Sequence, residues 1–180
     1  RFNFKITKVN KTDSAIDLIE RGKVIGWFQG RSEFGPRGLG NRSILSLATE
    51  QKYKDVVNEK VKKREAWRPF CPTIIEEKSE EMLVNSIYAP YMILGFEMKN
   101  PELYPAVSHV DGTTRPQILK KDVNPDFYEV VKGVGGIVLN TSFNLAGDPI
   151  VETPHDALMT LKNSEMDAII INDFLIEQNK

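Results

Sequence analysis

The segment from Gly30 to Ser43 combines four glycines and a proline with three arginines and two serines in fourteen residues. Glycines let a backbone turn freely and approach a guest closely, and arginine and serine supply donors suited to an oxyanion. Phosphate is the natural guest. The segment is not a P-loop, since no Gly-Lys-Ser/Thr follows, and Gly38-Leu39-Gly40 lacks the third glycine of a dinucleotide fingerprint. Composition alone therefore defines an anion loop in which Arg37 and Arg42 are the candidate ligands.

Three further segments carry usable groups. Lys62 and Arg68 flank Trp67 and precede Pro69-Phe70; a cation at a helix end and another on the adjoining extended stretch can converge on one anion. Trp67 can pack on a base or on the core, and the core is the expectation. In Ser108 to Gln117, Asp111-Gly112-Thr113-Thr114 is turn chemistry that delivers Arg115 ahead of Pro116 in an extended conformation. His109 beside Asp111 reads as an incidental neighbour. Asn140, Ser142 and Asn144 leave a strand at its carboxyl end, where open α/β sheets place ligand-binding groups, although an Asx-type turn would use the same residues. Cys71 reads as a buried structural thiol, and His155, just after a helix start, as capping or exposed.

The charge distribution points to the same stretch. Lys and Arg total 24 against 25 Asp and Glu, yet residues 31–68 hold ten basic and five acidic residues, and residues 69–180 hold 8 and 17. Six of the eight arginines fall between Arg31 and Arg115. For the lysines from 52 to 63 a solvated helix face is the simpler reading, because a basic last turn complements the helix dipole. The near-zero net charge argues against a nucleic-acid partner, and no apolar run suits a membrane span. One cysteine and two histidines exclude an internal disulfide, supply a zinc site poorly and fit a reducing cytoplasm.

The elements that must position these groups alternate. Thr12 or Asp13 caps a helix ending at Gly22, and Val24 to Phe28 forms a strand leading into the glycine segment. Thr49 caps a helix from Glu50 to Lys63 with Tyr53, Val57 and Val61 inward. Arg68 to Ile75 reads as an edge or irregular strand because of its two prolines. Ser79 to Asn85 forms a short helix, Tyr91 to Phe96 a strand, Pro125 to Val131 a helix and Gly136 to Leu139 a strand. Thr153, Pro154 and Asp156 start the last helix. Ala168 to Ile171 is a buried strand that turns at Asn172-Asp173 into Phe174 to Ile176. The 180 residues form one α/β domain with a mixed sheet.

In their order and wording the four segments resemble the C-terminal domain of the O-carbamoyltransferase family that includes nodulation and antibiotic carbamoyltransferases. The resemblance runs from about Gly26 to the C-terminus. It implies a YrdC-like fold, a twisted mixed β-sheet flanked by helices, and a chain that is a fragment of a longer protein. An N-terminal actin-like, metal-dependent domain would transfer the carbamoyl group to an acceptor hydroxyl. The present domain would make carbamoyl-adenylate from carbamoyl phosphate and ATP, with Mg2+ accompanying the nucleotide and no tightly bound metal. Lys62, Arg68, Arg115 and Ser142 are then the catalytic set, and Arg37, Arg42, Asn140 and Asn144 complete the nucleotide and carbamoyl ligands. The Lys-then-Arg and Ser-x-Asn pairs look like those of YrdC-type sites. The six positions from Lys62 to Arg68 exceed the Lys-x-Arg spacing of stand-alone YrdC proteins, so Lys63 and Arg64 stand as alternatives, with Lys62 preferred. An RNA-binding module and a threonylcarbamoyl-adenylate synthase are the competing readings; the net charge of -1 opposes the first and the wide spacing the second.

Overall fold

The computed structural model describes residues 3–179. Eight strands make one mixed sheet in the order β1-β10-β9-β2-β3-β8-β4-β7. They are β1 (Phe4–Lys8), β2 (Ile25–Phe28), β3 (Arg42–Ser46), β4 (Cys71–Ile75), β7 (Gln117–Leu119), β8 (Ile137–Ser142), β9 (Ala168–Ile171) and β10 (Phe174–Gln178). A separate ribbon pairs β5 (Phe96–Glu97) with β6 (Thr113–Thr114). The helices are α1 (Lys11–Glu20), α2 (Gln51–Val56), α3 (Glu76–Met82), α4 (Pro125–Gly133) and α5 (Pro154–Lys162), and a π-helical stretch, Val57–Lys62, continues α2.

The central strands are apolar at successive positions because both faces of the sheet are covered. Leu45, Ile75, Val138, Ala168 and Ile170 point to the side packed by α1 and α4, which contribute Ala15, Leu18, Ile19, Phe127 and Val131. Ile44, Ile74, Leu139, Ile169 and Ile171 point to the other side, toward Tyr53, Val57, Val61, Ala157 and Leu161. This is the α/β class with a helix-flanked mixed sheet that the sequence implies.

Local chemistry explains most boundaries and corrects several. Asn10, rather than Thr12 or Asp13, caps α1: its side chain accepts from the amides of both residues. Thr153 and Asp156 form a reciprocal capping box at α5 as expected. The expected helix from Glu50 to Lys63 is α only as far as Val56, and Thr49 does not cap it, since the N-cap is Glu50 without a side-chain bond. The early short helix begins at Glu76 rather than Ser79. The strand expected at Tyr91 to Phe96 is confined to Phe96–Glu97: Met92 sits at φ 54, and Tyr91, Ile93 and Leu94 are exposed, so no partner strand rewards their β-propensity. The stretch ending at Ile75 is no edge; β4 pairs with β8 on one side and β7 on the other. Pro72 is tolerated because pairing with β7 starts only at Thr73, so its missing N–H leaves no bond unmade there.

Strand direction sets the location of the site. Phe28 lies opposite Arg42, Ser43 opposite Ser142 and Cys71 opposite Asn140, and Thr73 runs parallel with Gln117. The carboxyl ends of β2 and β8 and the amino ends of β3, β4 and β7 therefore share one end of the sheet. All four chemistry-bearing segments open there.

Candidate functional site

Lys62 lies at the centre of this end. Its side chain is 4% exposed, and its Nζ donates to the carbonyl and Oγ of Ser142, to the Asn144 carbonyl at 3.0 Å and to Asn144 Oδ1 at 2.6 Å. Ser142 Oγ donates to Asn144 Oδ1 at 2.8 Å, and Asn144 Nδ2 donates to the Asp148 carbonyl. Every acceptor of Lys62 is thus a neutral oxygen. Burial first, and the nearby Arg64 charge second, pull the Lys62 pKa down to about 7.

Arg64 reaches this group through the π-helical stretch. Lys63 adopts the left-handed conformation and ends the helix, and the Arg64 amide donates to the Asn58 carbonyl. Asn58 is fully buried: its Oδ1 accepts from Arg64 Nε at 2.7 Å, and its Nδ2 donates to the carbonyls of Ala66 and Arg68. One amide therefore pins the whole turn from Arg64 to Arg68. The Arg64 guanidinium lies 4.5 Å from the Phe70 ring centroid. Its pKa is lowered by burial and then by Arg68.

The expected partnership of Lys62 with Arg68 takes a different form. The Arg68 side chain is 48% exposed and its Nε lies 3.7 Å from Glu65, whereas Arg64, at Lys-x-Arg spacing, is the cation whose charge acts on Lys62. Trp67 is 73% exposed and is not a core residue, because the turn held by Asn58 swings it outward. Arg115 approaches from the β6–β7 connection and its guanidinium meets Cys71 Sγ at 3.5 Å. Cys71 is buried and free. Among the described residues no carboxylate is in ion-pair contact with Lys62, Arg64 or Arg115.

His109 is better ordered than an incidental neighbour. Thr113 Oγ1 donates to Asp111 at 2.7 Å and lies 3.2 Å from His109 Nδ1. With its own proton directed at Asp111, that hydroxyl can only accept from the ring, which places the ring proton on Nδ1. Burial first keeps the imidazole pKa below its ordinary value, and Arg115 and Lys54 add to that while Asp111 opposes it.

The second half of the glycine loop is bonded to protein groups. The carbonyls of Gly38, Leu39 and Gly40 accept from Asn140, Gln117 and Trp27, at 3.1, 2.9 and 2.8 Å. The amides of Leu39 and Asn41 both donate to Glu33 Oε1 at 2.7 Å. A Cβ on Gly38 would meet the Arg42 carbonyl at 2.4 Å and Ser142 Cα at 3.1 Å, so this glycine lets the loop press on the Ser142 strand end.

Two sequence candidates are consumed by this scaffold. Arg42 is 3% exposed: its guanidinium donates to the carbonyls of Gln29, Asn41, Gly30 and Glu152 and lies 3.5 Å from the Phe28 centroid. Burial holds its pKa below the ordinary value against Glu33 and Glu152. Asn140 is 1% exposed, and its Nδ2 faces Gly38, Thr73 and Gln117. Both fasten the loop, while Arg42 Nε and Asn140 Oδ1 are buried without a hydrogen-bond partner among the described residues. Arg37, by contrast, is half-buried and without a hydrogen-bond or ion-pair partner among the described residues.

Arg64 and Asn58 are the residues that reading the sequence under-weighted. A signal existed: Lys54, Asn58 and Lys62 are spaced by four and all buried, forming a second inward stripe beside Tyr53, Val57 and Val61. Next to Asn144, a cavity of about 360 Å³ is bounded by Leu145, Pro149, Ile150 and Met159, with Glu152 and Asp156 at its wall.

This fold, with its site at one end of a helix-flanked mixed sheet, is that of the YrdC-like domains. Full-length HypF, solved in a phosphate- and nucleotide-bound form, superposes with a TM-score of 0.70 at 18% identity over 92% of this chain and 25% of that one. Sua5 of P. abyssi, solved with L-threonine, gives a TM-score of 0.66 at 15% identity over 92% of this chain and 48% of that one. Residues 16–178 match the model of the carbamoyltransferase C-terminus, and the chain belongs to that family. It is 39% identical to the nodulation protein NolO of Bradyrhizobium diazoefficiens over 92% of this chain and 32% of that protein. With the 3'-hydroxymethylcephem-O-carbamoyltransferase of Streptomyces clavuligerus it shares 32% identity over 84% of this chain and 30% of that enzyme. It thus spans about a third of the length of these curated relatives.

Proposed function

We propose that this chain activates carbamoyl phosphate with ATP, making the carbamoyl-adenylate that the rest of a longer O-carbamoyltransferase passes to a hydroxyl group. Carbamoyl phosphate loses inorganic phosphate to water, giving carbamate. A carbamate oxygen then attacks the α-phosphorus of ATP as the bond to pyrophosphate breaks. The net products are carbamoyl-adenylate, pyrophosphate and phosphate. Such chemistry needs no nucleophilic side chain; it needs donors placed where negative charge accumulates, with Mg2+ arriving on the nucleotide.

The observation that carries the reading is that Lys62, Arg64 and Arg115 come from segments opening at one end of the sheet, with the Arg64 charge acting on Lys62 and none of the three in ion-pair contact with a carboxylate among the described residues. Ser142 and Asn144 fix the Lys62 ammonium in place, and Arg37 and Arg68 supply further charge at the rim. The cavity beside Asn144 takes the nucleoside, with apolar walls for the base and carboxylates for hydroxyl or amino donors. The acceptor hydroxyl, and the N-terminal actin-like domain that would bind it, lie outside this chain. The relatives' name, an O-carbamoyltransferase for a hydroxymethyl group, supports carbamoyl as the group carried.

Carbamoyl-phosphate-dependent exchange of labelled pyrophosphate into ATP tests the proposal without an acceptor. Exchange by the wild type, lost by on the order of a hundred-fold in Arg115→Ala, is expected if one donor is worth roughly 3 kcal/mol in the transition state. Full exchange in Arg115→Ala contradicts the role given to that arginine, and failure of the wild type to bind ATP contradicts the reading itself.

A further inference from the structure

The glycine loop carries an anion of its own. Glu33 Oε1 accepts from the amides of Leu39 and Asn41 at 2.7 Å each, and the Arg42 amide lies 3.4 Å away. Three main-chain N–H groups converging on one oxygen form the kind of concave nest with which loops bind phosphate or carboxylate. In this chain the nest is filled from within, by a side chain six residues ahead of Leu39. The other oxygen, Oε2, is shielded from solvent and has no hydrogen-bond partner among the described residues. A carboxylate shielded from water at Oε2 and bonded only through Oε1 is held by the nest and by the field of Arg42.

The bond from Leu39 to Glu33 closes a ring around Phe34 to Gly38. Inside it Gly35 stands at φ 132, a conformation that favours glycine, and Pro36 fixes the next residue. Arg37 lies on this closed stretch and has no bond of its own to hold it. Gly38, the next residue, is already anchored by its carbonyl to Asn140. On the near side of Arg37 the nearest tether is Glu33, with Arg42 holding the Gly30 carbonyl further back.

We propose that Glu33 is the positioning residue for Arg37: its carboxylate stands in the amide nest where a bound anion would sit, and the ring it closes aims Arg37 at the substrate phosphates. The part concerning substrate rests on the adenylation reading above; the part concerning the nest does not. A consequence is that substrate phosphate is not gripped by the amides of Leu39 and Asn41, which Glu33 already occupies.

Chemical rescue separates the two parts. In Glu33→Ala the nest is vacated, and Tm falls by roughly 4–8 °C, the scale expected when charge-assisted bonds are lost from a chain of this length. Formate, a carboxylate small enough to enter, restores most of that Tm, whereas chloride at equal ionic strength does not, and neither raises the wild type. Glu33→Gln, whose amide oxygen can accept the same bonds, stays closer to wild type and covers the case in which the alanine variant folds poorly. Affinity for a non-hydrolysable ATP analogue falls about ten-fold in Glu33→Ala and recovers with formate. In Arg37→Ala it falls similarly without recovery, and the double variant is no weaker than Arg37→Ala alone. Glu33→Ala at wild-type Tm, or a loss that formate leaves unchanged, overturns the nest. Additive losses in the double variant overturn the positioning of Arg37. No analogue binding by the wild type would instead strike the adenylation reading, and the formate arm would still decide the nest.

Discussion

Lys62 offers a prediction whose size follows from its surroundings. Burial and Arg64 bring its pKa from the ordinary 10.5 to about 7 in the ligand-free chain. An oxyanion placed against Nζ favours the ammonium and returns the pKa toward its ordinary value, so binding takes up a proton. The lowered value is worth roughly 5 kcal/mol between the two protonation states. At pH 7 about half a proton is taken up per ligand bound, and near one at pH 8.5. Affinity then falls close to tenfold per pH unit above about 7, and roughly fifty-fold between pH 7 and 9. Calorimetry of a non-hydrolysable ATP analogue, in buffers of different ionisation enthalpy, reads both quantities. The perturbation that isolates the residue is Lys62→Met, which removes the titrating group while keeping the chain's bulk; its affinity is lower at pH 7 and flat from 7 to 9 once the ligand's own titration is subtracted. The stability of the ligand-free chain shows the same lysine with a defined sign. Between pH 7 and 10.5 the unfolded chain keeps the Lys62 proton that the folded chain has released, so stability rises with pH across that window, by roughly 1.4 kcal/mol per unit from this residue. A wild-type affinity indifferent to pH from 7 to 9, or a Lys62→Met variant with the wild-type slope, refutes the argument.

Three other outcomes follow from particular contacts. Arg64→Ala lowers pyrophosphate exchange by more than a hundred-fold, about 3 kcal/mol, whereas Arg68→Ala, removing a half-exposed side chain already beside Glu65, lowers it less than ten-fold; equal losses would return Arg68 to the centre of the site. Gly40→Ala puts a Cβ 2.2 Å from the Phe127 ring at φ 110 and costs about 3 kcal/mol or more, read as a lower urea midpoint at unchanged m-value. Thr153→Ala removes the side-chain half of the α5 capping box and lowers stability by about 1 kcal/mol in the same titration.

What the sequence made legible was whatever local chemistry decides. The capping residues Thr153 and Asp156, the buried run Ala168 to Ile171 and the turn after it could be read directly, as could Ser142 and Asn144 at the carboxyl end of β8. Both meet Lys62. What was not legible falls where tertiary structure overrides local pattern. Arg42 and Asn140 carry the residue types of ligands, and most of their donors also hold the carbonyls and side chains that shape the glycine loop, a structural role that spacing does not reveal. Trp67 was expected inside on hydrophobicity alone, and Asn58 turns it out. The loop looked like a phosphate cradle because glycines near arginines usually make one; the tenant of its amides, Glu33, was in plain view as a residue type, though nothing in one dimension shows that its carboxylate folds back onto residues 39 and 41.

The most direct test of the central claim follows the oxygen atom. Carbamoyl phosphate labelled with ¹⁸O in its carbamoyl oxygens is incubated with ATP, Mg2+ and this chain, and the AMP formed is weighed by mass spectrometry. If a carbamate oxygen attacks the α-phosphorus, the label appears in AMP once the adenylate breaks down at its carbonyl carbon, in the wild type and not in Lys62→Met. AMP that forms without label, or pyrophosphate released with no dependence on carbamoyl phosphate, would contradict adenylate formation at this site.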